Sequence, residues 1–346
     1  MHLTRRTDFK EAFVRNSGVD NLLPHNELGR LFLQKLQLAL TEIRKDVIEL
    51  DDIIEQVFIA MLCDGHAILQ GVPGVGKTLL VKAIARTIDA RFTRIQFTSD
   101  MKPDDLYVSL GGFDIELQKM KLGRGPIYGE FILADEINRG NTRTFGPMVE
   151  PFEEKQITFD NKTEQLGPFY FCVATQNPVE SVESTIQLPE ALQERFALMI
   201  LVPPASEELM CRIAVHDTRK KDLAAVFSKD DIVGMQHAIY EQYVLCHKYD
   251  DSTIRYIAHL IATIRDHEAV LWGPGVRGME DLTRASAVHA FLHGRDRITF
   301  DDIHAIAKPA LRFKFSLNRK ARAYGITNKD EMIERVLDQL PLAEGG

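Results

Sequence analysis

Hydrophobic positions follow two different patterns along the chain, and the change falls near Pro203-Pro204. Before this pair, short apolar or alternating runs recur, and helical patterns lie between several of them. The runs cover residues 66–70, 92–97, 131–134, 169–174 and 198–202. Strands that alternate with helices are typical of a parallel sheet covered by helices. This half of the chain is therefore predicted to form an α/β domain.

After Pro204 the apolar spacing is helical over residues 206–221, 230–248, 252–267 and 281–293. Thr299, followed three positions later by Asp302, predicts one more helix start. We therefore predict a small all-α domain after the α/β domain. The predicted boundaries are 1–35 for an N-terminal extension, 36–204 for the α/β core, 205–317 for the helical domain and 318–346 for a C-terminal helical tail.

Composition and charge narrow the class of protein. The 346 residues are 45% apolar, which is enough for two cores of unequal size. With 50 acidic and 42 basic side chains, the net charge is -8, so nucleic acid is an unlikely partner. Four single cysteines without CxxC spacing favour a reducing compartment. The N-terminus lacks an apolar signal core and no apolar run approaches the roughly 20 residues of a membrane span, so we expect a cytoplasmic protein without membrane insertion.

A phosphate-binding loop is the most specific local motif. Residues 71–78 satisfy GxxxxGK[ST] between a predicted strand and a predicted helix. Backbone N–H groups would surround the phosphates, Lys77 would reach the β- and γ-phosphates, and the Thr78 hydroxyl would bind Mg²⁺. The predicted ATP-binding residues are Gly71, Val72, Pro73, Gly74, Val75, Gly76, Lys77, Thr78 and Leu79.

Two later strands also end in polar side chains. The run 131–134 is followed by Asp135 and Glu136, and the run 169–174 leads to Asn177. Because ligands of parallel sheets bind at the carboxyl ends of the strands, Asp135 is predicted to bind Mg²⁺ and Glu136 to activate the attacking water. Asn177 would hydrogen-bond that water or the γ-phosphate. Taken alone, the acidic pair could be a helix cap and the asparagine a turn residue.

The chain resembles the MoxR family of AAA+ ATPases over roughly residues 40–315. The motifs that carry the resemblance are Gly65-His66, Arg94-Ile95-Gln96-Phe97-Thr98, Gly125-Pro126-Ile127, Ala134-Asp135-Glu136-Ile137-Asn138-Arg139, Ala174-Thr175-Gln176-Asn177-Pro178, Leu188-Pro189-Glu190-Ala191 and Glu194-Arg195-Phe196. The resemblance implies a RecA-like core with a parallel sheet, an all-α lid and a hexameric ring. It makes Asn177 sensor 1, Arg195 an arginine finger for the neighbouring subunit and Arg277 the sensor 2 arginine of the lid.

The same resemblance suggests the mode of action. Members of the family often work with proteins that carry a von Willebrand factor A domain, and they mature or assemble a partner protein. We therefore expect ATP hydrolysis at subunit interfaces that remodels a protein client. A nucleic-acid motor of the same superfamily and a non-catalytic, nucleotide-gated scaffold are the alternatives. For Arg195 the alternative is a structural ion pair with Glu190 or Glu194.

Departures from the family pattern indicate a divergent member of the clade with an insert in the second helix. Glu49-Leu50 stands where relatives usually have Gly-Gln, and residues 312–315 replace the more usual Arg-His-Arg. Residues 106–123 fit the helix-2 insert and residues 156–169 a hairpin, although either could be an ordinary surface excursion. The 11 histidines show no HExxH motif and no ligand pair in suitable company, so no metal other than Mg²⁺ is predicted.

Overall fold

The central sheet confirms the predicted α/β class. The computed structural model describes residue 23 and residues 25–114, 119–178, 186–215, 223–246 and 252–340. Five strands form one sheet: Ala67–Gln70 (β1), Phe92–Gln96 (β2), Phe131–Asp135 (β3), Phe171–Gln176 (β4) and Leu198–Leu201 (β5). Their spatial order is β5-β1-β4-β3-β2, and every neighbouring pair is parallel. All five predicted strands are present.

Alternation along the strands supplies two cores, one on each face of the sheet. Leu133 and Val173 face one cluster, which continues through the helices of the second half of the chain. Ile132 and Cys172 face the other cluster, around Phe97, Phe145 and Phe196. Strands β3 and β4 are buried along their whole length, which explains why their sequences are continuous apolar runs.

The helices cover both faces and form the region after Pro204. Their bounds are Glu27–Ile43 (α1), Asp51–Leu62 (α2), Lys77–Arg86 (α3), Asp104–Tyr107 (α4), Thr142–Glu154 (α5), Glu190–Gln193 (α6), Glu207–Val215 (α7), Lys229–Ile239 (α8), Ser252–Asp266 (α9), Val276–Leu292 (α10), Phe300–Leu311 (α11) and Lys329–Gln339 (α12). A π-helical turn, Tyr240–Val244, follows α8. The Thr299–Asp302 capping box is present at the start of α11.

Two helices differ from the sequence-based bounds. The helix predicted from residue 281 begins earlier, at Val276, with Gly275 as its N-cap. Its first turn carries few apolar residues, so the helical pattern of the sequence is weak there. The boundary predicted between residues 35 and 36 falls inside α1. That helix buries Phe32 and Leu36, and Lys35 pairs with the buried carboxylate of Asp231 at 2.8 Å. Because Lys35 is charged, the sequence predicts it to be exposed, whereas it is buried. Residues 216–222 and 247–251, the ends of two predicted helices, lie outside the described residues.

Both candidate insertions contain antiparallel hairpins. The first pairs Val108–Asp114 with Lys119–Arg124, and the second pairs Gln156–Phe159 with Lys162–Gln165. Asp160 and Asn161 turn the second hairpin with positive φ angles of 49° and 58°, as predicted for its turn. The rings of Tyr107 and Phe159 stack at 4.6 Å, so the base of the first hairpin contacts the turn end of the second. Among the described helices, none is long and apolar enough to span a bilayer.

Candidate nucleotide site

A cavity of about 400 Å³ lies at the carboxyl ends of β1, β3 and β4. The residues that line it are Pro73, Gly74, Val75, Gly76, Lys77, Thr78, Leu79, Arg94, Gln96, Asp135, Glu136, Thr175 and Asn177. The structure thus brings together most of the residues predicted for ATP and Mg²⁺, together with Glu136 and Asn177. Gly71 and Val72 lie at the base of the loop, and Lys77 donates hydrogen bonds to both of their carbonyl oxygens.

The loop between β1 and α3 depends on two glycines. Gly74 and Gly76 have φ angles of +87° and +86°, a conformation that side chains other than glycine rarely adopt. Gly76 is the N-cap of α3, and no side chain caps this end. The first N–H groups of the helix are therefore available, which suits an anionic phosphate.

Lys77 is held at the base of the cavity. Its side chain is largely buried, and its Nζ also lies 3.1 Å from Oδ1 of Asn177. Burial lowers the pKa of Lys77, whereas the carboxylates of Asp135 and Glu136 act in the opposite direction. The P-loop cation and the predicted sensor 1 amide are thus in direct contact.

Asp135 is the most strongly fixed carboxylate of the site. Its Oδ1 accepts hydrogen bonds from Thr78 at 3.0 Å and from Thr175 at 2.6 Å, and its Oδ2 pairs with Arg94 at 2.6 Å. Burial alone would raise the pKa of Asp135, but the hydrogen bonds from Thr175, Arg94 and Thr78 outweigh it and keep the pKa below its usual value. A hydroxyl and an ionised carboxylate in contact form a hard oxygen donor set, which fits Mg²⁺.

Glu136 occupies a strained position at the mouth of the cavity. Its φ of 54° lies in the left-handed region, which costs a residue other than glycine about 1–3 kcal/mol. Its backbone N–H donates to Oγ1 of Thr175, and Oε2 accepts from Gln96 at 3.1 Å and from Arg139 at 2.9 Å. The turn directs the carboxylate toward the cavity, and the two donors fix its orientation.

Thr175, Arg94 and Gln96 are site residues without a predicted role. Thr175 and Arg94 contact the acidic pair from neighbouring strands, and only the order of strands places them there. Gln96 and Thr175 lie at the polar carboxyl ends of β2 and β4, where ligands of parallel sheets collect, and this position was their signal. Arg94 lies in the middle of β2 and carries no such signal.

Arg195 and Arg277 are absent from the lining of this cavity, and both contact Glu153 on α5. The guanidinium of Arg277 lies 2.7 Å from Oε1 of Glu153, and that of Arg195 pairs with Oε2. The Nε atom of Arg195 is one of four buried side-chain polar atoms among the described residues without a hydrogen-bond partner. The alternative role of Arg195 was a structural ion pair with Glu190 or Glu194. In the structure, Arg195 pairs with Glu153 instead.

Comparison with known proteins gives one consistent family. Residues 66–198 match the ATPase family associated with various cellular activities, and residues 262–336 match the AAA lid domain. The Bacillus subtilis protein YeaC, named as uncharacterized, is 35% identical over 291 residues, which cover 83% of this chain and 89% of YeaC. Chaperone MoxR1 of Mycobacterium tuberculosis is 29% identical over 89% of this chain and 82% of its own length. A crystal structure of a "putative ATPase" from Cytophaga hutchinsonii has a TM-score of 0.78 at 30% identity, covering 90% of this chain and 95% of the other.

Proposed function

The chain belongs to the MoxR family of AAA+ ATPases, and on that premise we propose that it hydrolyses MgATP between neighbouring subunits of a hexameric ring, the assembly that the family resemblance implies, to remodel a protein client. The carrying observation is the position of two cations. Arg195 and Arg277 meet at Glu153 and do not line the cavity around Lys77. Arg94 lines the cavity, but its guanidinium is paired with Asp135. The finger that stabilises charge on the transferring phosphate would therefore come from another chain.

The residues of the cavity would divide the work on ATP as follows. The N–H groups of the loop and Lys77 bind the phosphates, and Thr78 and Asp135 hold the metal ion. Mg²⁺, when bound, neutralises charge on the phosphate oxygens. Asn177 positions a water molecule in line with the γ-phosphate. Glu136 accepts a proton from this water while the water oxygen bonds to the γ-phosphorus. The bond between that phosphorus and the oxygen of the leaving ADP breaks.

Glu153 binds both arginines that we propose act on the nucleotide of the neighbouring subunit. Both guanidinium groups pair with the same carboxylate, which is 41% exposed, although the Arg195 side chain itself is only 16% exposed. Solvent at Glu153 weakens both pairs, so the arginines could exchange this carboxylate for another anion. At an interface, the γ-phosphate of the neighbour's ATP would compete for the same cations. Binding of ATP would thereby couple the core of one subunit, through Arg195, and its lid, through Arg277, to the next subunit.

A protein client is favoured over a nucleic acid. A relative is named as a chaperone, and the net charge of -8 gives no overall attraction to phosphate backbones. In the second hairpin, Lys162 is the only cation of the two paired strands. We propose that the client is reached in the cytoplasm through a partner with a von Willebrand factor A domain.

Mixing two inactive variants tests the proposed interface. Lys77→Ala lacks a working P-loop but keeps Arg195, whereas Arg195→Ala lacks the finger but keeps the P-loop. Mixed rings should contain interfaces in which both parts are intact, so ATP turnover should exceed the sum of the two separate proteins. Two preparations of Arg195→Ala mixed with each other serve as the control and should stay inactive.

Absence of rescue, with mixed oligomers demonstrated by a tag on one partner, would contradict a finger in trans. Full turnover by a monomeric Arg195→Ala protein would overturn both the residue assignment and the ring.

A further inference from the structure

A cluster outside the nucleotide cavity joins the core to the helical domain. Glu55 lies on α2, His289 lies on α10, and His293 caps the end of α10. The Nε2 atoms of His289 and His293 lie 4.0 Å and 3.7 Å from Oε1 of Glu55. One ligand atom from each of the three residues lies within 4.8 Å of the other two.

Hydrogen bonding determines which nitrogen of His289 carries the proton. Its Nδ1 lies 2.7 Å from Oδ1 of Asp302, a fully buried carboxylate. The same carboxylate accepts from Nε–H of Arg295 and from the backbone N–H of Thr299, two groups that can only donate. Asp302 is therefore the acceptor, and Nδ1–H of His289 donates to it. The guanidinium of Arg295 is farther from the same nitrogen, at 3.3 Å, and pairs with Asp302 instead. In the neutral ring, Nε2 of His289 then carries a lone pair.

His293 is oriented in the same way. Its Nδ1 lies 3.0 Å from the carbonyl oxygen of His289, which can only accept, so Nδ1 donates. The lone pair of the neutral ring is again on Nε2, the atom that faces Glu55. A carboxylate and two imidazole lone pairs thus converge without a donor between them, and their separations are too long for direct hydrogen bonds.

We propose that Glu55, His289 and His293 form a binding site for a divalent transition-metal ion of the Zn²⁺ class. Tetrahedral zinc with bonds of about 2.0–2.1 Å places neighbouring ligand atoms about 3.4 Å apart. The two imidazole–carboxylate separations of 3.7 Å and 4.0 Å are close to this value, and the three ligand atoms, which lie within 4.8 Å of one another, would draw together on binding. The hydrogen bond from His289 to Asp302 is the outer carboxylate contact that typically orients a metal-bound imidazole. Partial exposure of His293 leaves room for water as a fourth ligand.

The ligand set separates this site from the Mg²⁺ site. Two imidazole nitrogens with one carboxylate suit zinc and its neighbours in the transition series, whereas Mg²⁺ requires oxygen ligands. Because Glu55 precedes the P-loop strand and both histidines belong to the matched lid region, a bound ion would link α2 to α10. The site would therefore brace the helical domain against the core, independently of the proposed ring.

Calorimetric titration of the full chain with Zn²⁺, in chelator-treated buffer with excess Mg²⁺ and no nucleotide, tests the proposal. We expect one Zn²⁺ per chain and no competition from Mg²⁺. His293→Ala and Glu55→Gln should each weaken binding at least as much as loss of an outer-shell partner, roughly 10- to 100-fold. His293 is exposed and its side-chain hydrogen bond stays within its own helix, so this variant should fold.

His259→Ala, an exposed histidine on α9, is the matched control and should bind Zn²⁺ like the parent protein. Co²⁺ absorption in the visible range should show the same dependence on His293. No saturable stoichiometric binding by the parent, or unchanged affinity in both His293→Ala and Glu55→Gln, would overturn the site. Either result would leave the nucleotide assignments untouched.

Discussion

The cavity around Lys77 and the arginine pair on Glu153 differ in how their charges are held. In the cavity, Lys77, Asp135 and Asn177 are at most 8% exposed; Lys77 contacts Asn177, and Asp135 accepts from Thr78. On α5, the Glu153 side chain is 41% exposed and receives two cations, from Arg195 and Arg277. Buried groups in a satisfied network keep one arrangement, whereas exposed ion pairs exchange partners at little cost.

The difference suggests that one chain carries two complementary parts of a reaction site, the phosphate-binding cavity in one region and the arginines in another. The cavity is assembled from strand ends of a single sheet, and under the proposed mechanism it would lack only the finger of a neighbouring chain. The arginines come from the core and the helical domain, and their shared carboxylate has the charge that a phosphate would offer. The comparison therefore predicts chemical defects from changes in the cavity and assembly-dependent defects from changes at the arginines.

The largest effect is expected from Arg195→Ala. If Arg195 completes the neighbour's site, turnover should fall roughly 10³- to 10⁵-fold, while ATP affinity stays near that of the parent. Steady-state ATPase rates and binding of a fluorescent ATP analogue measure the two quantities. Arg322→Ala, an exposed arginine outside both regions, is the control and should keep its activity. Equal losses of affinity and turnover would place Arg195 in its own subunit's binding site.

Glu136→Gln should lower hydrolysis by roughly 10²- to 10⁴-fold, because an amide cannot accept the proton of the attacking water. The variant keeps the shape and hydrogen-bonding reach of the side chain, so ATP binding should persist. Single-turnover hydrolysis measures the chemical step directly. Glu154→Gln at the end of α5 should behave like the parent. A rate close to the parent for Glu136→Gln would remove this residue from the role of base.

Lys77→Ala should abolish most of the thermal stabilisation by ATP. Ligand at a hundredfold excess over its dissociation constant stabilises a protein by about 2.7 kcal/mol, and this gain vanishes with occupancy. Thermal melting with and without MgATP measures it. Lys82→Ala, on the same helix but outside the cavity lining, should retain the shift. An undiminished shift in Lys77→Ala would contradict the assignment of the P-loop cation.

Glu153→Gln should have the smallest effect on stability and on ATP turnover. It tests most directly whether Arg195 and Arg277 act apart from their ion pairs with Glu153. Loss of exposed ion pairs costs about 0.2–1 kcal/mol of the free energy of unfolding, and both arginines remain available for phosphate. Chemical denaturation measures stability, and the ATPase rate shows whether turnover survives. If Arg195 served only as a structural partner of Glu153, then Glu153→Gln and Arg195→Ala would show the same loss of turnover.

Local sequence predicted the nucleotide cavity because each of its motifs is contiguous and follows an apolar strand. The loop 71–78, the pair Asp135-Glu136 and Asn177 lie at carboxyl ends of parallel strands, so predicting the sheet also brought them together. It also predicted the five strands, the helical second half and the start of α11. It missed the burial of Lys35, which depends on the distant partner Asp231, and the early start of α10, whose first turn carries few apolar residues.

The sequence by itself determined the fold class and most of the residues that line the cavity around Lys77, since the strand and helix periods and the P-loop depend on neighbouring positions. Only the tertiary structure decided what meets across distance. Arg277 contacts Glu153, which lies 124 positions away in the chain. His289 and His293 lie on one helix, and the third residue of their cluster, Glu55, lies on α2. Side chains so far apart in the chain carry no local signal of their contact, because packing of whole helices brings them together.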